Sequence, residues 1–146
     1  MDNAITTLMD KLIPVMEALL TDLHTWLTVA VVLGPVLLLI IGLLYFFLPP
    51  KEANHRFGYR TYFGMGSVRA WKFTQRVAGL VWGTLGLGLT VAMVIVCLVN
   101  RGEPIDAYAW SILIALLVQV GLVAVGWLGI EATVFVCFDR KGNRRR

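Results

Sequence analysis

The strongest constraint on this chain is a set of three apolar runs, each long enough to cross a bilayer. The first, Val29 to Leu48, holds twenty residues without a charge, and a helix of that length covers the hydrocarbon core of about 30 Å. The second is Val77 to Val99, and the third starts near Ala107 or Trp110 and stays apolar to Ile130. Because unpaired backbone groups are very costly in lipid, such runs form helices. The sequence therefore predicts an all-α integral membrane protein.

Composition supports the same class. Hydrophobic residues make up 58% of the chain and charged residues 15%, with a mean hydropathy of +0.77, which exceeds what a soluble core of this size can bury. We expect one three-helix bundle over residues 27–146, with spans at about 27–48, 77–99 and 107–135, a loop at 49–76 and a tail at 139–146. Cys97 and Cys137 lie in apolar stretches without metal-ligand spacing, so no metal or cofactor is predicted.

The cations predict the orientation. Eleven Lys and Arg residues lie in the loop and the tail, whereas the other side holds only Lys11 and Arg101. The positive-inside rule then places the N-terminus outside and the C-terminus in the cytoplasm. Membrane lipids are expected partners. Nucleic acid is not, because topology alone accounts for the pI of about 9.4.

Residues 1–26 show the spacing of an amphipathic helix. The apolar positions are Ile5, Leu8, Met9, Leu12, Met16, Leu19, Leu20, Leu23 and Leu27, and the polar face holds Asp10, Lys11, Glu17, Thr21 and Asp22. This pattern predicts a separate interfacial helix, bent at Pro14 and joined to the first span near His24 to Trp26. Such a helix covers the bundle or contacts an extracytoplasmic ligand, and the sequence leaves both open.

Small residues mark the surfaces where helices meet. Gly79 and Gly83 form a G-x-x-x-G pair on the second span, and a backbone without side chains can approach another helix closely. The pair serves either the bundle or a homodimer, so a homo-oligomer stays open. Pro35 in the first span frees a backbone carbonyl, which needs another partner.

A family resemblance rests on the loop and the tail. The loop contains Pro50, Asn54, the run Gly58-Tyr59-Arg60-Thr61, Ser67 and Trp71, with Trp71 ten residues after Thr61 and a span directly afterwards. The tail contains Glu131, Phe138-Asp139, Gly142 and Arg144. Over roughly residues 27 to 146, this arrangement closely resembles the SdpI immunity-protein family.

The resemblance implies a small multi-pass protein of the bacterial inner membrane. Its relatives protect a bacterium from a secreted peptide toxin and can hold a transcription repressor at the membrane. We therefore expect the chain to bind another protein, either a peptide toxin or a regulator. The expected loop-pocket residues are Asn54, Gly58, Tyr59, Arg60, Thr61, Ser67, Trp71 and Gln75, and the expected tail motif is Phe138, Asp139, Gly142 and Arg144.

The residues themselves indicate how the loop could close. Gly58 permits backbone conformations that other residues avoid, and Asn54 can hydrogen-bond within its own turn. Glu131 is the only charge in the third apolar stretch, and a charge in lipid is normally paired. We hypothesise an ion pair between Arg60 and Glu131, with Asn54, Thr61 and Trp71 completing a polar pocket. The alternative is that Glu131 simply reaches the interface.

No arrangement of residues indicates catalysis. The sequence has no paired carboxylates, catalytic triad, H-E-x-x-H motif or phosphate-binding glycine loop, so we do not expect an enzyme. Two further functions remain open beside immunity. One is an accessory subunit of a larger membrane complex, and the other is a small transporter of an anionic lipid or solute.

Overall fold

The computed structural model describes the backbone of residues 2–51 and 57–145 and the side chains of residues 9–51 and 57–145. Three long helices run through this part of the chain: α1 (Asp2–Phe47), α2 (Val68–Val99) and α3 (Ile105–Cys137), with a short 3-10 helix at Gly64–Gly66 before α2. Each long helix contains a segment long and apolar enough to cross a membrane. The prediction of an all-helical chain with three membrane-length helices is confirmed.

A separate N-terminal amphipathic helix is not found. Helix α1 runs unbroken through Pro14 and Pro35, and it is apolar from Met9 to Phe47. The region around residue 26 contains no glycine or proline that would end the helix. The described side chains before Leu23 are exposed in the single chain, because no other helix extends far enough to cover them.

Helix α2 begins earlier than predicted, inside the expected loop 49–76. Ser67 caps it, since the Ser67 hydroxyl accepts a hydrogen bond from the Ala70 amide at 3.1 Å. The following turns bury one face, whose members are Ala70, Trp71, Thr74, Gln75 and Ala78. The correction matters because Trp71 and Gln75 now lie on a rigid helix instead of a loop.

Glycines bring α1 and α2 into close contact. A Cβ atom added to Gly79 would lie 2.6 Å from the amide nitrogen of Phe46, and one added to Gly42 or Gly86 would also overlap the backbone of the opposite helix. Close backbone approach gives the dispersion contacts that hold helices together in lipid. The G-x-x-x-G segment thus packs within the bundle, and self-association of the chain stays a prediction.

Pro35 leaves the Val31 carbonyl without its usual helical hydrogen bond, and a side chain of α3 supplies a replacement. A proline removes the hydrogen bond to the carbonyl four residues earlier, which here is Val31. The Gln119 side chain of α3 donates to this carbonyl at 3.0 Å, and Gln119 is only 7% exposed. The hydrogen bond ties α3 to α1 at the point where α1 lacks one of its own.

The three helices form one hydrophobic core at each end of the bundle. At the loop end, the end of α1, the start of α2 and the end of α3 surround a core that includes Trp82, Ile130 and Val134. At the turn end, residues 100–104 join α2 to α3 beside the middle of α1, over a second core that includes Val31, Met93 and Ile112.

Candidate functional site

The loop folds back over the start of α2 and is held by Trp71. The Trp71 side chain is fully buried, and its indole N–H donates to the Pro50 carbonyl at 3.0 Å. Gly58 lies against the indole ring with φ at +115°, and a Cβ atom there would lie 2.6 Å from the ring. Only glycine satisfies both the conformation and the space.

Gln75 binds the next residue of the loop at two points. Its side-chain oxygen accepts from the Tyr59 amide at 2.8 Å, and its nitrogen donates to the Tyr59 carbonyl at 2.7 Å. Gln75 is fully buried on α2. The amide side chain therefore acts like a neighbouring strand for Tyr59, and it supplies both hydrogen bonds that this backbone segment needs.

Thr61 and Thr74 enclose the 3-10 turn. The Gly64 amide donates to the Thr61 hydroxyl at 2.7 Å, and the Thr74 hydroxyl donates to the Ala70 carbonyl at 2.9 Å. Both threonine side chains are buried, and Gly64 fits between them. The turn that leads into α2 is thus fixed by side-chain hydroxyls.

The tail packs onto this turn. The Ser67 hydroxyl, which caps α2, also donates to the Gly142 carbonyl at 2.8 Å. Gly142 has φ at +73°, and a Cβ atom there would overlap Gly66 and Ser67. Phe138 is 3% exposed and lies 5.3 Å from the ring of Phe73. We call residues 57–67 together with residues 138–145 the cap.

Asp139 organises the tail itself. Its carboxylate accepts from the amides of Asn143 at 2.8 Å and Lys141 at 2.9 Å, and Phe138 pairs with Arg144 in an antiparallel bridge. Hydrogen bonds, chiefly from the Asn143 amide, lower the pKa of Asp139. Arg145 covers the Phe135 ring at 4.6 Å. Asp139, Gly142 and Arg144 of the predicted tail motif therefore build one compact turn.

The hypothesised ion pair between Arg60 and Glu131 is not formed. Arg60 is exposed, whereas Glu131 is half-buried and close enough to Tyr59 for its charge to act on the phenol. Burial, followed by the charges of Glu131 and Tyr45, raises the pKa of Tyr59 to about 12. Burial changes from one loop residue to the next: Arg60 is exposed, whereas Tyr59 is half-buried beside Trp82 and Thr61 is buried. The Tyr59 hydroxyl has no hydrogen-bond partner within the described residues.

The cap and the first turns of α2 thus bring together six of the eight predicted loop-pocket residues: Gly58, Tyr59, Thr61, Ser67, Trp71 and Gln75. Arg60 points away from them, and Asn54 lies outside the described residues. The polar groups of Thr61, Trp71 and Gln75 are already hydrogen-bonded within the chain. Their role in closing the cap is visible, and their role in binding a ligand stays a prediction.

The turn end holds a cavity that the sequence did not reveal. It has a volume of about 870 Å³ and lies between α1, the end of α2 and the start of α3. His24 and Tyr108 line this cavity, and their rings stack with centroids 4.3 Å apart. A lone histidine and tyrosine that are far apart in the sequence give no signal of such a pair. We call this space the turn cavity.

None of the described residues forms a group of three His, Cys, Asp or Glu side chains suited to a metal ion.

A model of the SdpI/YfhL protein family matches residues 51–130, which is more than half of the chain. This range includes the loop part of the cap, the whole of α2 and most of α3. The searches of curated proteins and of solved structures gave no match.

Proposed function

Because the chain belongs to the SdpI/YfhL protein family, we propose that it protects a bacterium from a membrane-active peptide by binding that peptide at the membrane. The observation that carries the proposal is the family match over the loop, α2 and α3, where the matched residues Gly58, Trp71 and Gln75 build a specific packed structure. Three membrane-length helices support a multi-pass membrane protein.

We further propose that the loop end faces the cytoplasm. Its described cations are exposed and free to contact lipid phosphates or an acidic regulator; they include Lys51, Arg60, Arg69, Lys72, Arg76, Arg140, Lys141 and Arg144. Since the cap uses its own polar groups internally, this cationic surface is the part of the loop end that remains open to a partner.

Expression in a peptide-sensitive bacterium tests the protective function. Cells that produce the protein should survive a higher concentration of a membrane-active peptide than cells with an empty vector. Gly58→Ala should abolish the protection by disrupting the cap, whereas Gly102→Ala should keep it, because a Cβ atom at Gly102 meets nothing within 4 Å. Equal survival with and without the protein, across a panel of such peptides, would contradict the proposal.

Accessibility labelling tests the orientation. In a chain with Cys97 and Cys137 replaced by serine, a thiol introduced by Glu103→Cys should react with an impermeant reagent on intact cells. A thiol introduced by Arg144→Cys should react only after lysis. The reverse pattern would place the loop end outside.

An accessory subunit is the second candidate function. The observation that favours it is the exposed apolar surface on the projecting part of α1, where Leu12, Met16 and Leu19 are 58–64% exposed. Exposed apolar patches mark contact sites with proteins or membranes. Purification from native membranes should then recover a partner in fixed ratio, and Leu12→Lys with Leu19→Lys should release it.

A further inference from the structure

We propose that the turn cavity binds the cationic side of an amphipathic peptide. The inference rests on the proposed function and adds the site, which the family resemblance does not supply. Part of the cavity wall comes from α1, outside residues 51–130. The proposal depends on the floor of the cavity, its rim, and the direction of the two faces of α1.

The floor is an ordered polar surface. The Thr28 hydroxyl donates to the His24 carbonyl at 2.9 Å, so its single hydrogen is used. The Tyr108 hydroxyl therefore donates to Thr28 across the 2.5 Å contact. Tyr108 is 2% exposed and carries the stacked His24 ring. The floor thus keeps its shape without a ligand, which reduces the cost of binding one.

The rim carries more negative than positive charge. Glu103 and Asp106 line the cavity together with Arg101, and all three are exposed. No ion pair joins them within the described residues. The excess of carboxylates attracts a cation and disfavours an anionic lipid headgroup.

Helix α1 presents its polar stripe to the cavity. Thr21, His24, Thr25 and Thr28 follow the spacing of one helical face and all line the cavity. The apolar residues Leu19, Leu23 and Trp26 lie on other faces and are 46–70% exposed. A ligand in the cavity therefore meets the hydroxyls of α1 and the carboxylates of the rim, and it also meets apolar side chains such as Leu20, Val29 and Leu98.

This combination selects an amphipathic occupant. A volume of about 870 Å³ lies within the range of ligand pockets and accepts several side chains. A small metal or ammonium ion would leave the apolar walls uncovered, whereas a purely apolar chain would desolvate the carboxylates without pairing them. A peptide with lysine on one face and leucine on the other satisfies both surfaces.

Binding to the full chain in neutral phosphatidylcholine nanodiscs tests the proposal. The probe is a fluorescent amphipathic peptide of leucine and lysine, measured by anisotropy against empty nanodiscs. Removing both rim carboxylates with Glu103→Gln and Asp106→Asn should weaken binding roughly three- to tenfold, as expected for two exposed charge pairs. Higher salt should reduce this difference.

A matched control removes the same charge outside the cavity. Asp10→Asn with Glu17→Gln changes the same end of the molecule, but neither residue lines the cavity, and binding should stay within twofold of the wild type. Thr25→Trp places a large side chain in the cavity without changing any charge and should also weaken binding. Thermal unfolding checks that each variant remains folded, which is expected because the four carboxylates and Thr25 are exposed.

Three results would overturn the site. The first is no binding above empty nanodiscs, the second is an equal loss in the control variant, and the third is equally tight binding of the analogue with glutamate in place of lysine. The survival assay separates the site from the function. If Thr25→Trp does not change protection, the proposed function stands and the proposed site is wrong. If the peptide binds in the cavity but the protein gives no protection, the site stands and the proposed function is wrong.

Discussion

The buried polar residues of the loop end and the charged rim of the turn end are used in opposite ways. At the loop end, buried Gln75, Thr61 and Trp71 direct their hydrogen bonds to neighbouring parts of the same chain. At the turn end, the charged groups of Glu103 and Asp106 stay exposed around a cavity of about 870 Å³. The first arrangement fixes a structure, and the second leaves groups available to a partner.

The comparison teaches that a cluster of distinctive residues is not by itself a binding site. Polar groups that are buried and satisfied contribute to stability and specificity of the fold. Groups that remain open can change partners at little structural cost. Substitutions at the loop end should therefore affect folding first, and substitutions at the turn end should affect binding first.

The largest effect is expected at Gly58. Gly58→Ala forces a side chain into a backbone conformation at φ +115° and against the Trp71 ring. Backbone strain and overpacking together should lower the free energy of unfolding by about 2 to 4 kcal/mol. Unfolding in detergent, followed by circular dichroism, measures the loss. Gly102→Ala at the turn end is the control, and an equal loss there would break the comparison.

A smaller loss is expected at Gln75. Gln75→Leu keeps the volume similar but leaves the Tyr59 amide and carbonyl without their partner. The unpaired backbone groups should cost about 2 kcal/mol. Gln75→Glu retains an acceptor for the Tyr59 amide but loses the donor to the Tyr59 carbonyl. Its free energy of unfolding should therefore be lower than that of the wild type. A Gln75→Leu variant as stable as the wild type would mean that water replaces both hydrogen bonds.

Gln119 sharpens the comparison because its hydrogen bond lies in the middle of the bundle. Gln119→Leu removes the donor to the Val31 carbonyl, and interhelical hydrogen bonds of this kind contribute about 1 kcal/mol. Pro35→Ala should lessen the effect, since α1 then provides its own donor to Val31. A double-mutant cycle in the same unfolding assay measures the coupling. Strictly additive losses would show that the two residues act independently.

The smallest effect is a pH dependence of the tail. The pKa of Asp139 is lowered in the folded chain, so its contribution is complete above the unfolded value of about 3.9 and is lost as the pH falls through the folded pKa. Protease cleavage within residues 138–145 should therefore accelerate below about pH 4. Asp139→Asn should cleave faster at neutral pH and flatten the profile. Identical profiles for the two proteins would contradict this role.

The three helices could be predicted because lipid permits few alternatives for long apolar runs. Residues that pair across the chain could not be predicted in the same way. The carbonyl freed by Pro35 was expected to need a partner, but nothing in the local pattern identifies Gln119, which lies 88 positions from Val31. Periodicity reports which face is apolar and does not report which helix covers that face.

The cap shows the same limit. Gly58 and Trp71 were expected at the site, yet Arg60 was paired with Glu131 because both are charged. Tyr59 is the residue that packs beside Trp82 instead, and Gln75 fixes the Tyr59 backbone. The early start of α2 follows from the Ser67 cap, a signal that the apolar run beginning at Val77 obscured. The turn cavity depends on His24 and Tyr108 meeting, which only the fold determines.

Ser67 has a consequence for biosynthesis. Its hydroxyl joins the beginning of α2 to Gly142 across 75 positions of sequence. During translation, α1 and α2 are made before Gly142. The hydrogen bond between Ser67 and Gly142 therefore forms only after the tail has been synthesised. We therefore expect chains that end before Gly142 to leave the 3-10 turn at Gly64–Gly66 more accessible to a protease than it is in the full-length protein.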